Sequence, residues 1–246
     1  MFPVSVVIIT KNEEINIEEA LKSVADAKEI IVVDSFSTDR TVDICRQYTD
    51  KIYQHEWQGF ARQKQMAVDY AEGPWVLILD ADERVTPELK SEIARNISST
   101  DLNGFWIPRE NYFIGRRIRH GGWWPDHTLR LFKKDKGRLE HREVHERVVV
   151  EGSTGYLKNP LRHYTYRSVS DFVERMERYS TLAAKEIRNN SGRAGLFSLT
   201  IKPPVTFIKM YFLRLGLLDG TRGFMLAVLY SFYTFLKYAK TWETQA

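Results

Sequence analysis

The sequence predicts an α/β protein built on a doubly wound, mixed but mostly parallel sheet with helices on both faces. Three observations carry this. Short apolar, β-branched runs stand at residues 4–9, 30–33 and 75–79, a pattern that suits strands buried on both faces. Stretches with apolar residues at helical spacing lie between them. After about residue 190 the chain becomes basic and aromatic, which marks a helical segment of a different kind.

In order along the chain, residues 14–26 place Ile17, Leu21 and Val24 on one helical face, and residues 38–48 do the same with Val42, Cys45 and Tyr48. Residues 58–72 follow with Phe60, Met66, Ala67 and Tyr70. Thr86-Pro87 predicts a helix start, with Thr as the cap and Pro in the first turn. Strand, helix, strand, helix, strand is the signature of a doubly wound domain. Residues 105–108, 128–133 and 143–150 read as strands, and residues 116–125, rich in Arg, Gly and Trp, as a loop. A helix is expected from Ser170 to about Asn190, and a hinge at residues 192–195. The expected division is a body at 1–190 and a C-terminal segment at 191–246.

Composition bounds the setting. The 246 residues are 43% hydrophobic and 28% charged, enough for a sizeable core inside a polar body. The single cysteine, Cys45, cannot form an internal disulfide, so a reducing, cytoplasmic compartment is expected. No basic stretch leads into an apolar one at the N-terminus, so no signal peptide is expected. The net charge of +4 is unevenly placed. From Arg193 onward seven basic side chains face two acidic ones, which leaves the preceding part slightly negative. Within this segment residues 224–236 are almost wholly apolar and aromatic, flanked by Arg222, Lys237 and Lys240. Thirteen residues fall short of the roughly 20 that span a bilayer. The run is read as lying in the interface of an anionic membrane; the other reading is a buried core helix.

The chemistry concentrates where strands end. Leu79-Asp80-Ala81-Asp82-Glu83 follows a buried strand directly. Ligands in open α/β sheets bind at the carboxyl ends of strands. Three acids packed there repel one another unless a divalent cation with oxygen ligands, Mg²⁺ or Mn²⁺, joins them to a phosphate. Thr10, Asn12 and Glu13 close the first strand, and Asp34 closes the second with a Ser-Thr-Asp turn at 37–39. Each alone reads as a cap or turn; together they suggest a nucleotide pocket. No G-x-G-x-x-G follows the first strand and no P-loop appears, which argues against dinucleotide and P-loop enzymes.

The segments VSVVIITKNEE, EIIVVDSFSTDRT, GFARQKQMAVDYAEGPWVLILDADE and WWPDHTLRLF resemble the family 2 glycosyltransferases of the GT-A fold. Within them the chain is similar to bacterial lipopolysaccharide-core β-1,4-glucosyltransferases, a likeness that extends into GLLDGTRGFMLAVLYSFYTFLKYAK. The resemblance implies an inverting transfer of a hexose, glucose by this likeness, from a UDP-sugar to a saccharide of lipopolysaccharide core or a similar glycolipid. It implies that Thr10, Asn12, Glu13 and Asp34 line the base and ribose, that Lys64 stands near the nucleotide, that Asp80 faces the ribose, and that Asp82 holds the metal.

An inverting transferase needs a carboxylate to deprotonate the acceptor hydroxyl while a metal stabilises the leaving diphosphate. Glu146 is the candidate base, chiefly through the resemblance. His163 is a candidate for the metal or diphosphate, against the plainer reading of a structural histidine. Trp123, Trp124 and Asp126 suit an acceptor sugar by stacking and hydroxyl binding, and Arg130 and the Arg116-Arg117-Arg119 cluster suit acceptor phosphates. Two rivals stand beside this reading. A sugar-phosphate nucleotidyltransferase would need a glycine-rich basic opening loop, which is missing. A non-catalytic peripheral membrane protein would use only the basic, aromatic C-terminus; nucleic acid is not an expected partner. The expected location is the inner face of the cytoplasmic membrane.

Overall fold

The computed structural model describes residues 1–140, 147–190 and 192–245. The fold begins with a strand that has no solvent side. β1 (Phe2–Thr10) sends Val4, Val6 and Ile8 into one apolar cluster and Val7 into another across the sheet. After α1 (Ile17–Lys22), β2 (Ala27–Asp34) divides in the same way, with Ile30 and Val32 on one face and Ile31 and Val33 on the other. α2 (Thr41–Cys45), β3 (Ile52–Gln54) and α3 (Phe60–Tyr70) lead to β4 (Trp75–Ile78), all four of whose residues are buried. β1 pairs in parallel with β2 and β4, and β2 with β3, so four neighbouring strands end at one edge.

β5 (Glu83–Val85) follows the acidic motif, and α4 (Pro87–Ile97) starts as expected at Thr86, whose Oγ1 accepts from Leu89 N at 3.2 Å. Such a cap contributes about 1 kcal/mol. The chain continues through β6 (Gly104–Phe113), β7 (Arg116–Arg117), β8 (Asp126–Lys133), β9 (Gly137–Glu140), β10 (Arg147–Val150), β11 (Thr154–Tyr156) and β12 (Leu161–Tyr166). The main sheet runs β3-β2-β1-β4-β8-β6-β12-β5, with β7 and β11 on β6; β9 and β10 form a separate antiparallel pair. β4–β8 and β5–β12 are antiparallel, which makes the sheet mixed. The strands of two to four residues, such as β3, β5 and β7, carry no periodicity of their own. β7 lies inside the stretch expected to be loop.

α5 (Val169–Asn189), α6 (Leu196–Thr200), α7 (Lys202–Ile208), a π-turn (Lys209–Leu213), a 3-10 turn (Gly216–Asp219) and α8 (Gly220–Glu243) complete the chain. Two compact units result. One holds residues 1–109 and 127–163; the other holds residues 110–126 and 164–246. This division differs from the expected one at residue 190, because α5 buries Phe172 and Met176 in the same cluster as Leu226 and Ala227 of α8. The apolar run 224–236 is therefore the middle of a helix with one side in a core and another outside. Leu226 and Ala227 are buried, whereas Phe224, Val228, Phe232 and Phe235 are exposed. Among the described residues no helix is long and apolar enough to cross a membrane.

Candidate active site

Parallel pairing sets Thr10 beside Asp34 at the ends of β1 and β2, and Thr10 Oγ1 donates to Asp34 Oδ1 at 3.0 Å. The fully buried Asp34 carboxylate also accepts from Ser37 N at 2.9 Å, Ser37 Oγ at 2.5 Å and Gln54 Nε2 at 3.1 Å. It thus holds the turn after β2 in place. Asn12, in a left-handed conformation at φ 54°, donates from its main chain to Ser37 Oγ and accepts at Oδ1 from Thr38 N at 2.8 Å. Glu13 N donates to Thr41 Oγ1 at 2.8 Å, and Glu13 Oε2 accepts from Asn16 Nδ2. The two loops at this edge are laced together through the residues singled out in the sequence.

The acidic motif divides its labour. Asp80 Oδ1 lies 2.8 Å from Lys64 Nζ, its Oδ2 pairs with Arg130, and its main-chain N donates to Glu83 Oε2 at 3.0 Å. Burial pushes the Asp80 carboxyl up, but the Arg130 guanidinium and then the Lys64 ammonium outweigh it and hold it well below the usual carboxylate range. Glu83 is fully buried, 3.1 Å from Arg130 and 3.7 Å from Arg109, and so anchors the turn from within. Asp82 takes a different direction. Register places His163 of β12 opposite Glu83 of β5, and His163 Nε2 lies 3.5 Å from Asp82 Oδ2.

That spacing bears on a cation. Two ligands bound at ~2.1 Å and nearly at right angles stand about 3 Å apart, so this carboxylate and imidazole fit one divalent ion with little movement. Among the described residues no three His, Cys, Asp or Glu side chains gather at one point. Glu146, with His141 and His145, lies outside the described residues.

The residues expected on the acceptor side fall in two places. Trp124 and Asp126 belong to the unit of residues 110–126 and 164–246. There the Arg117 guanidinium stacks 4.8 Å from the Trp124 ring centroid, and Asp126 Oδ2 accepts from Asn111 Nδ2 at 3.0 Å. Trp123 is buried among Phe113, Tyr166 and Tyr230, a core position rather than a sugar-stacking one. Arg130 lies in the other unit, buried against Asp80 and Glu83. Its charge is committed to those carboxylates rather than turned to an acceptor phosphate. Sequence reasoning missed Arg109 and Gln63 as well. Gln63, fully buried on α3, donates to Ser35 Oγ at 2.6 Å and to the carbonyl of Glu56 at 3.1 Å. Partners 28 or 50 residues apart leave no local signal.

A family model described as glycosyl transferase family 2 matches residues 5–165. The chain belongs to that family. Over 99% of its length the transferase is 32% identical to the lipopolysaccharide core biosynthesis glycosyltransferase LpsC of Rhizobium meliloti (strain 1021), of which 93% is covered. It is 30% identical to the uncharacterized glycosyltransferase RT0209 of Rickettsia typhi (strain ATCC VR-144 / Wilmington), with 99% of this chain and 88% of that one covered. In fold it is similar to S. aureus TarS 1-349, crystallised in complex with UDP, with a TM-score of 0.51, 19% identity, and coverage of 96% and 89%. The mixed sheet is thus that of GT-A-like enzymes. A transferase of this family is neither the nucleotidyltransferase nor the non-catalytic protein weighed as rivals.

Proposed function

We propose that this transferase moves a hexose, glucose by the sequence resemblance, from a UDP-sugar to a saccharide of lipopolysaccharide core or a similar glycolipid, with inversion and with a divalent metal. The observation that carries the reading is the Asp82–His163 pair, 3.5 Å apart, beside an edge where Thr10, Asn12, Glu13 and Asp34 close two neighbouring strands. The strand-end residues order the loops that receive the base and ribose. Lys64 and Arg130 neutralise Asp80 and keep it ionised for a ribose hydroxyl to donate to. Asp82 and His163 would hold Mg²⁺ or Mn²⁺, which supplies charge stabilisation to the departing diphosphate. Glu146 is proposed as the carboxylate that takes the acceptor hydroxyl proton as that oxygen attacks the anomeric carbon and the bond to the diphosphate breaks. Trp124 and Asp126 are proposed to contact the acceptor, and the basic, aromatic C-terminal segment an anionic membrane at its cytoplasmic face. Burial, then the Asp34 charge, pushes the Cys45 thiol up to about 12, so it is not a nucleophile in this reaction.

The test is transfer or slow donor hydrolysis with UDP-glucose, with and without Mn²⁺. Asp82→Ala is expected to lower kcat/KM by about 10³-fold or more, since a metal supplies several kcal/mol to the transition state. His163→Ala is expected to raise the Mn²⁺ concentration needed for half-maximal rate. Wild-type rates in folded Asp82→Ala protein, or rates indifferent to chelator, would refute metal-assisted transfer.

A further inference from the structure

We propose that the leucine-rich turn of residues 213–218, together with the outward side of α7, is the surface on which this protein seats on an anionic lipid bilayer. The inference rests on the reading of a membrane-held acceptor and names the surface that meets the membrane. Its first support is exposure. Leu213 is 75% exposed and Leu218 60%, well above the 40–48% of Phe224, Val228, Phe232 and Phe235 on α8. Just before the turn, Val205 and Ile208 of α7 and Phe212 of the π-turn are also exposed, at helical spacing. A contiguous apolar face on a soluble body marks a binding surface.

The second support is rigidity. Leu215 sits in a left-handed conformation at φ 56°, uncommon for a leucine, and the surroundings hold it there. A Cβ at Gly223 would collide with the carbonyl of Gly216, and one at Gly216 would lie 2.7 Å from the carbonyl of Met210, so these backbones pack in direct contact. The Asp219 carboxylate accepts from the main chain of Arg119 at 3.2 Å and His120 at 2.8 Å, and Gly121 N donates to the carbonyl of Arg214 at 2.8 Å. The leucines are therefore displayed by a fixed frame and are not the fringe of a loose tail.

The third support is charge, and it selects the occupant. Every exposed residue from 201 to 218 is apolar or cationic, the cations being Lys209 and Arg214. The one acid next to this stretch, Asp219, is turned inward onto the chain, with its side chain 9% exposed. Apolar side chains rimmed by cations with no exposed anion complement a layer of hydrocarbon beneath phosphate headgroups. A second copy meeting this face about a two-fold axis would set one cationic, anion-free face against another, which disfavours self-association.

The test is co-sedimentation of the full chain with vesicles of phosphatidylcholine alone or with about 30% phosphatidylglycerol, enough anionic lipid to give a strong surface potential. Wild type is expected to bind the anionic vesicles, and less as salt rises. Leu213→Glu/Leu218→Glu is expected to weaken that binding at least about tenfold, and Lys209→Gln/Arg214→Gln by roughly fivefold per removed charge, with circular dichroism and melting unchanged. Phe232→Glu on α8 is expected to have little effect. Binding that is absent in wild type, equal on both vesicle types, or unaltered in the double glutamate variant overturns the proposal. So does a wild-type dimer in light scattering that the same variant dissociates, which would show the face covered by a second copy. Vesicle binding without any sugar transfer would instead count against the proposed function and leave this surface intact.

Discussion

Arg130 shows how one side chain can organise a site without touching its chemistry. It is buried between Asp80 and Glu83, with Lys64 closing the other side of Asp80. Removing its charge leaves the buried Glu83 carboxylate and the partly buried Asp80 carboxylate under-compensated, which costs about 3 kcal/mol. Arg130→Met is therefore expected to lower the urea midpoint clearly, with Arg130→Lys recovering part of the loss. A midpoint equal to wild type in Arg130→Met would show that this network is not structural. Arg130 and His163 also mark the boundary of sequence reading at this scale. The D-x-D pattern made Asp82 conspicuous, because strand-end acids have a local signature. Arg130 was expected to face an acceptor and His163 was a lone histidine, because the partners of both arrive from distant strands.

Elements meet through similar single points. Glu29 on β2 accepts from Ser5 of β1, from Lys51 Nζ at 2.8 Å, and from the main chain of Glu72 and Gly73 at 2.7 and 2.9 Å, tying β1, β2 and the approach to β4 together. Burial pushes its carboxyl up, but Lys51, Ser5 and those main-chain donors outweigh it and bring it down to about 2. A folded-state pKa below the unfolded one gives stability that is present above the unfolded value and is lost as pH falls toward the folded value. The window for Glu29 thus runs from about 4.5 down to about 2. Wild-type stability is expected to fall through that window more steeply than that of Glu29→Gln, read as urea midpoints at each pH. Parallel slopes would show that Glu29 does not carry the effect. β1, β2 and β4 were legible as continuous apolar runs, α3 and α5 because their apolar periodicity extends over several turns, and α4 from its Thr86-Pro87 start. The short strands β3, β5 and β7 are held by register with neighbours and carry too few residues for any period.

For the molecule as a whole, the C-terminal segment is the revealing part. Leu226 and Ala227 of α8 share a core with Phe172 and Met176 of α5, so α8 is structural even if its neighbourhood meets lipid. Truncation before Gly223 is expected to abolish cooperative melting of this unit, since it uncovers that core. Calorimetry checks this; an unchanged second transition would contradict it. For the same reason point substitutions in the leucine turn test membrane contact more cleanly than truncation.

The order of buried strands, the acids and amides at their ends, and the uneven charge could all be read along the chain alone. Each is a local consequence of side-chain chemistry: β-branched residues pack into pleats, and short polar and acidic side chains close strands and start turns. Left to the packed molecule were the pairing of Asp82 with His163, the commitment of Arg130 to Asp80 and Glu83, and the division of apolar C-terminal residues between core and surface. Those depend on which distant segments become neighbours in space, and a periodic pattern tells that a face is apolar without telling what will cover it.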